Sequence, residues 1–290
     1  MTSRIPDFKV IAANQRSSLS AHDVDGFFER ARDFGPLSMT LNERGALLFP
    51  HVGIAVGGHQ IAAVVDAVLA SNVDAVIALG VLHARTEELE TARVRVANGG
   101  DPSREACWGI QGPGLARRKD WEQEFSLDHF CFLWEEAGKT HQRAMPELVM
   151  RFPYLAGGHP ERLPGIDELE SILRTRRTAV IATGDLFHHG IAYGTTPEGA
   201  RSPEAGGLDL ARVAITRGLN ILALGQYAAY NRHSVETKSD ARDVGQVVRH
   251  LIGPFDGRIL DLVAEDMTGP YQQPAPSWVA GALVSFQPPA

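Results

Sequence analysis

At 290 residues the chain is close to the size at which one hydrophobic core stops growing, so a single domain with insertions is expected over 1–290. A hydrophobic content of 44% with 22% charged residues belongs to a globular protein, and a net charge of -7 argues against a nucleic-acid partner, leaving Arg117-Arg118-Lys119 as a solvated loop. No apolar run has the length of a membrane span, the N-terminus lacks a secretory apolar core, and Cys107 and Cys131 are too few for a disulfide framework, so a cytoplasmic protein with reduced thiols is expected.

Residues 1–45 read as an N-terminal elaboration. Ser20 and Asp23 form a capping box ahead of Val24, Phe27, Phe28 and Ala31, predicting one amphipathic helix that ends near Gly35. Its stripe covers the sheet or a second subunit, and no chemistry is assigned to it. From Ala46 the pattern changes: ALLFPHVG, an Ala/Val-rich segment of helical length, then VDAVIALGVLHAR. Short apolar runs bounded by turn residues are buried strands, and a helix between two of them makes a βαβ unit with parallel strands. His51 and His83 then leave the sheet at the same carboxyl edge, where open α/β sheets form their sites.

Residues 86–125 are charged, glycine-rich and weakly periodic, an inserted loop region expected to cover a site and carry specificity. Trp108 within it reads as packed rather than as a pocket wall, and Arg93, Arg95 and Arg104 as solvated charges available to an anionic substituent. SLDHF brings Asp128-His129 before an apolar and aromatic run. IDELESILR predicts a helix, and TAVIATGDLFHHGIAYG a third strand with a histidine-bearing turn at its carboxyl end. A long helix over Leu208 to Tyr227, a polar turn YNRHSVETKSD, a helix capped by Ser239 or Asp240 and stopped at Gly253-Pro254, and a final strand SWVAGALVSF complete the chain. The result is an α/β fold: a central mixed, largely parallel sheet flanked by helices on both faces, with a metal site at the strand carboxyl ends.

At that edge gather His51, His83, Asp185, His188 and His189, with His129 and Glu236 as outer members. Two neutral imidazoles and one carboxylate bind one face of Fe(II) and leave positions open for O2 and a chelating substrate. His189, and the remaining histidines at 22, 59, 141, 159, 233 and 250, read as structural or surface residues.

The segments LLFPHVG, VDAVIALGVLHA, SLDHF, AVIATGDLFHHGIAYG and SWVAGALVSF occur in the order found in class III extradiol ring-cleavage dioxygenases and their Memo-like relatives, and the chain from about Ala46 onward resembles that superfamily. The resemblance implies that His51 and His83 are iron ligands, that His188 is the acid/base beside O2, that His129 faces the substrate, and that Asp185 sits where Memo-like proteins keep an aspartate. The dioxygenases place a glutamate third ligand near the start of a late helix, and Memo-like proteins a cysteine. This chain has no cysteine after Cys131. Glu236, Ser239 and Asp240 are the residues available, and Glu236 is preferred over Asp240, with Ser239 as a cap. The expected activity is a non-haem Fe(II) oxygenase using O2 to cleave or rearrange an electron-rich ring, catechol-type or a hydroxylated N-heteroaromatic. Alternatives are a zinc-dependent hydrolase on the same cluster and a Memo-like binding or redox protein. Expected partners are a small aromatic substrate and, through the N-terminal helix, a second copy of the chain.

Overall fold

The computed structural model describes residues 7–289. Eight strands form its sheet: β1 (Ala46–Phe49), β2 (Ala75–Leu79), β3 (Gly109–Gln111), β4 (Glu147–Tyr154), β5 (Thr178–Thr183), β6 (Phe187–Gly190), β7 (Asp256–Asp266) and β8 (Ser277–Gln287). They lie in the order β3-β4-β2-β5-β1-β8-β6, with β7 on the far edge of β8. The inner four, β4, β2, β5 and β1, are mutually parallel, while β3 and β8 flank them antiparallel.

Eleven α-helices among the described residues cover this sheet: α1 (Phe8–Ser17), α2 (Ala21–Ala31), α3 (Ser38–Asn42), α4 (Ile54–Ala70), α5 (Glu87–Ala97), α6 (Asp128–Thr140), α7 (Ile166–Thr175), α8 (Leu208–Ala223), α9 (Tyr227–Glu236), α10 (Arg242–Ile252) and α11 (Thr268–Tyr271). The pleat divides the core in two. Leu47, Phe49, Val76, Ala78, Ala179 and Ile181 point toward α2, α4 and α6, while Ala46, Leu48, Ile77, Leu79, Val180 and Ala182 point toward α7, α8 and α10. Strands buried on both faces read as continuous apolar runs, which is why these three were visible in the sequence. Each fully buried Val, Leu, Ile or Phe among them contributes on the order of 1.5–3 kcal/mol, and each alanine less.

The expected βαβ unit is present, with β5 inserted between β1 and β2. The capping box at Ser20 and Asp23 opens α2, whose Phe27 ring lies against Gly58 of α4. Three parts of the sequence reading need correction. The region 86–125 is not mostly loop, because Thr86 caps α5, three glutamates occupy its first turn, and Leu89, Ala92 and Val96 form a buried stripe. The segment YNRHSVETKSD is not a turn: α9 runs through Glu236 and leaves only 237–241 as connection. Neither Ser239 nor Asp240 caps α10. Its N-cap is Ala241, without a side-chain hydrogen bond. No helix among the described residues is long and apolar enough to cross a membrane.

Candidate metal centre

The carboxyl ends of β1, β2 and β5 deliver His51, His83 and Asp185 into one cavity of about 520 Å³. The His51 and His83 rings are 5.1 Å apart, centre to centre. The fourth contribution is the 237–240 connection, which is clamped onto the end of β5. Asp240 Oδ1 accepts from the Asp185 backbone N–H at 2.8 Å, Ser239 Oγ donates to the Asp185 carbonyl at 3.1 Å, and the Asp240 N–H donates to the same carbonyl at 3.2 Å. The approach is close enough that a Cβ on Gly184 would stand 2.4 Å from the Ala241 Cβ. Glycine at 184 therefore lets the two carboxylate-bearing loops meet.

Asp240 Oδ2 is the centre of the cluster. His51 Nε2 lies 3.1 Å from it, His83 Nε2 3.6 Å and His188 Nε2 3.8 Å, while Asp185 Oδ2 is 3.5 Å from His51 Nε2. The donor atoms of His51, His83 and Asp240 all fall within 4.8 Å of one another, as do those of Asp185, His188 and Asp240. The first trio has the stronger support. His83 Nδ1 donates to Glu124 Oε2 at 2.8 Å and His51 Nδ1 pairs with Thr183 Oγ1 at 3.3 Å, so both rings are anchored through Nδ1 and turn Nε2 toward Asp240, where a metal would replace the Nε2 proton. His188 Nδ1, by contrast, is buried with no hydrogen-bond partner among the described residues.

The electrostatics fit a cation. Burial would push His83 down, yet the Glu124 carboxylate and Asp240 outweigh it and push it up to about 10. Burial likewise opposes the charge on His51, and Asp185 and Asp240 overcome it to raise that group. Burial, Asp240 and Glu265 push the Asp185 carboxyl up to about 7 against the pull of His51. Asp240 resists its own burial through His51 and the hydrogen bonds from His51 and His83, and is held well below the usual carboxylate range. In the metal-free chain, protons on these groups supply positive charge that a metal ion would otherwise bring to the carboxylates. Two imidazoles with anchored Nδ1 atoms and one carboxylate form a donor set that a divalent transition metal accepts.

Of the residues singled out from the sequence, His51, His83, Asp185, His188 and His129 all line this cavity. His129, on α6, is 2% exposed, and its Nδ1 has no hydrogen-bond partner among the described residues. Burial pushes it down to about 3 and pushes His188 down to about 4, so both are neutral at ordinary pH. Glu236 does not join them. It sits at the exposed last position of α9, and Asp240, four residues on, occupies the place expected for the carboxylate ligand. His189 is structural, its Nε2 accepting from the Arg201 N–H and its ring stacked on Phe187.

Trp108 lies outside the cavity, whereas Phe125, from the same inserted region, stacks on His83 at 4.9 Å. Arg95 is paired with Glu105, Arg104 is exposed, and Arg93 lines the cavity but is held by Glu90. The sequence reading missed Glu124, Glu265 and α1. Helix α1 contributes Phe8, Ile11 and Gln15 to the cavity wall and is tied to α6 by Arg16 and Asp128 at 3.3 Å.

No family model matches this chain, and no curated protein matches it.

Proposed function

We propose that the chain is a non-haem Fe(II)-dependent dioxygenase that opens or rearranges an electron-rich, hydroxylated aromatic ring. The observation that carries this reading is the convergence of His51 and His83 Nε2 on Asp240 Oδ2, with both Nδ1 atoms anchored from behind. Fe(II) held by these three residues would make O2 reactive toward the ring and keep positions open for both. The motif order resembling the class III extradiol dioxygenases supports the same chemistry.

The remaining work belongs to the chain's own side chains. His188 is neutral and packs against the Tyr193 ring at 4.9 Å, so its free Nε2 is suited to take a proton from a substrate hydroxyl and return it to the departing oxygen. His129, also neutral, stands on the α6 wall to orient the ring. Phe125, Phe8 and Tyr271 give that ring apolar faces, and α1 covers the cavity, keeping water from a site whose charges act strongly in its absence. The direct test is O2 uptake by anaerobically iron-loaded protein offered catechols and hydroxypyridines. Turnover that requires both iron and O2 supports the reading.

One observation favours a second reading. A carboxyl raised to about 7 beside the cluster, as Asp185 is, suits a base that activates water, and with zinc that would serve ester or amide hydrolysis. Turnover with zinc that is indifferent to O2 would select it.

A further inference from the structure

The cavity carries positive charge that the metal centre does not use. Two cations bracket Asp240 in sequence, Lys238 and Arg242, and both line the main cavity and the second lobe of about 470 Å³ that opens from it past His83. Arg242 is 7% exposed, yet its guanidinium has no ion pair and no hydrogen bond among the described residues. The carboxylate beside it in sequence does not supply one. Asp243 is occupied by the backbone N–H groups of Leu155 and Ala156, at 3.1 and 2.8 Å. The other two cations of this lobe are by contrast paired, Arg93 in a bidentate contact with Glu90 and Arg85 with Asp7 and Glu124 at 3.8 and 3.9 Å.

A guanidinium with five donors that opens on a cavity and has no protein acceptor among the described residues is free to take an anion that enters. Lys238 also has no acidic partner among the described residues; its left-handed φ of 57 belongs to the cap that ends α9, in which the Ser239 N–H donates to the Ser234 carbonyl at 2.9 Å. Lys238 lies on the short connection that carries the proposed carboxylate ligand, and Arg242 opens the helix that follows it. Their charge therefore stands at a fixed remove from the metal centre.

We propose that the substrate is an aromatic acid, whose carboxylate is received by Arg242 and Lys238 while its hydroxylated ring faces His51, His83 and Asp240. The planar guanidinium fork matches two carboxylate oxygens, and a cavity of about 520 Å³ suits a single substituted ring. The fate of the ring rests on the oxygenase reading. The recognition of the acid does not.

The test is calorimetric titration of the full chain, freed of metal by chelation, with 4-hydroxybenzoate, phenyl phosphate and phenol. The expected result is 4-hydroxybenzoate binding at least ~10-fold tighter than phenol and tighter than phenyl phosphate, with the preference over phenol reduced to within about twofold in Arg242→Met. Arg242→Lys should recover only part of it. If Arg242→Met does not melt cooperatively, the exposed Lys238→Met decides, with an expected several-fold loss of the same preference. Equal binding of acid and phenol, phenyl phosphate as the tighter ligand, or a preference untouched by the deciding variant would overturn the proposal. Acid preference in a chain that takes up no iron would keep this subsite and sink the oxygenase reading, while iron uptake without acid preference would do the reverse.

Discussion

Glu124→Gln is the substitution whose consequence can be worked out most fully. The Glu124 side chain is 1% exposed and accepts twice from His83, from the backbone N–H at 2.7 Å and from Nδ1 at 2.8 Å. A glutamine offers one oxygen in place of two. The backbone N–H is a fixed donor and claims that oxygen, so the amide NH2 faces Nδ1, which must become an acceptor. The ring proton then moves to Nε2, and the lone pair needed for a metal is lost. A charge-assisted hydrogen bond to a buried carboxylate contributes ~1.5–3 kcal/mol, and 1.4 kcal/mol is a factor of ten, so Fe(II) affinity should fall ~10–100-fold. Competition with a calibrated chelator under anaerobic conditions measures this. In the metal-free variant the His83 titration, followed by the NMR shift of its ring protons, should also move down from about 10, because its first support has been removed. Affinity within a factor of about two of wild type would refute the reasoning that Glu124 holds His83 in its binding tautomer.

Metal affinity should rise with pH. His83 is raised from 6.5 to about 10 in the folded chain, so its charged form contributes stability that is fully present below 6.5 and is lost as pH rises through about 10. Metal must displace that proton, which predicts a gain of ~10-fold in affinity per pH unit between 7 and 9, measured by the same competition, with His51 adding to the slope. His188→Gln should bind iron as wild type does and lose turnover by ~100-fold or more in the O2-uptake assay, whereas equal turnover would remove the proton-transfer role. Gly184→Ala would drive a methyl into the Ala241 Cβ, so thermal denaturation should show a loss of ~1–3 kcal/mol together with weakened metal binding as Asp185 and Asp240 are pushed apart.

What the sequence disclosed follows from how strongly each feature is patterned. β1, β2 and β5 are buried on both faces and appear as uninterrupted apolar runs, so their carboxyl ends, and with them His51, His83 and Asp185, could be placed before any coordinates. β4 was hidden because Arg151 and Pro153 interrupt its run; Arg151 is buried there by pairing with Glu168. β7 is half-buried along most of its length and carries charges at both ends, so it lacks a clear apolar signal.

The choice between carboxylates is hidden for a related reason. Choosing between Glu236 and Asp240 required the helical phase of α9, and a segment with three buried residues in ten and a polar composition does not reveal it. Once α9 is seen to end at Glu236, the clamp of the next four residues onto Asp185 brings Asp240 inward. Glu124 had no local signature at all. Nothing in KDWEQEF separates it from Glu122, and only the packing of Phe125 on His83 turns it toward the site.

The central claim is that His51, His83 and Asp240 together hold one metal ion, and anaerobic Fe(II) binding tests it most directly. Wild type and Glu236→Ala should each bind one equivalent with equal affinity, while His51→Ala, His83→Ala and Asp240→Ala, each checked for a cooperative melt, should lose affinity by ~100-fold or more. Iron retained in Asp240→Ala and lost in Glu236→Ala, or binding indifferent to both histidines, would contradict it.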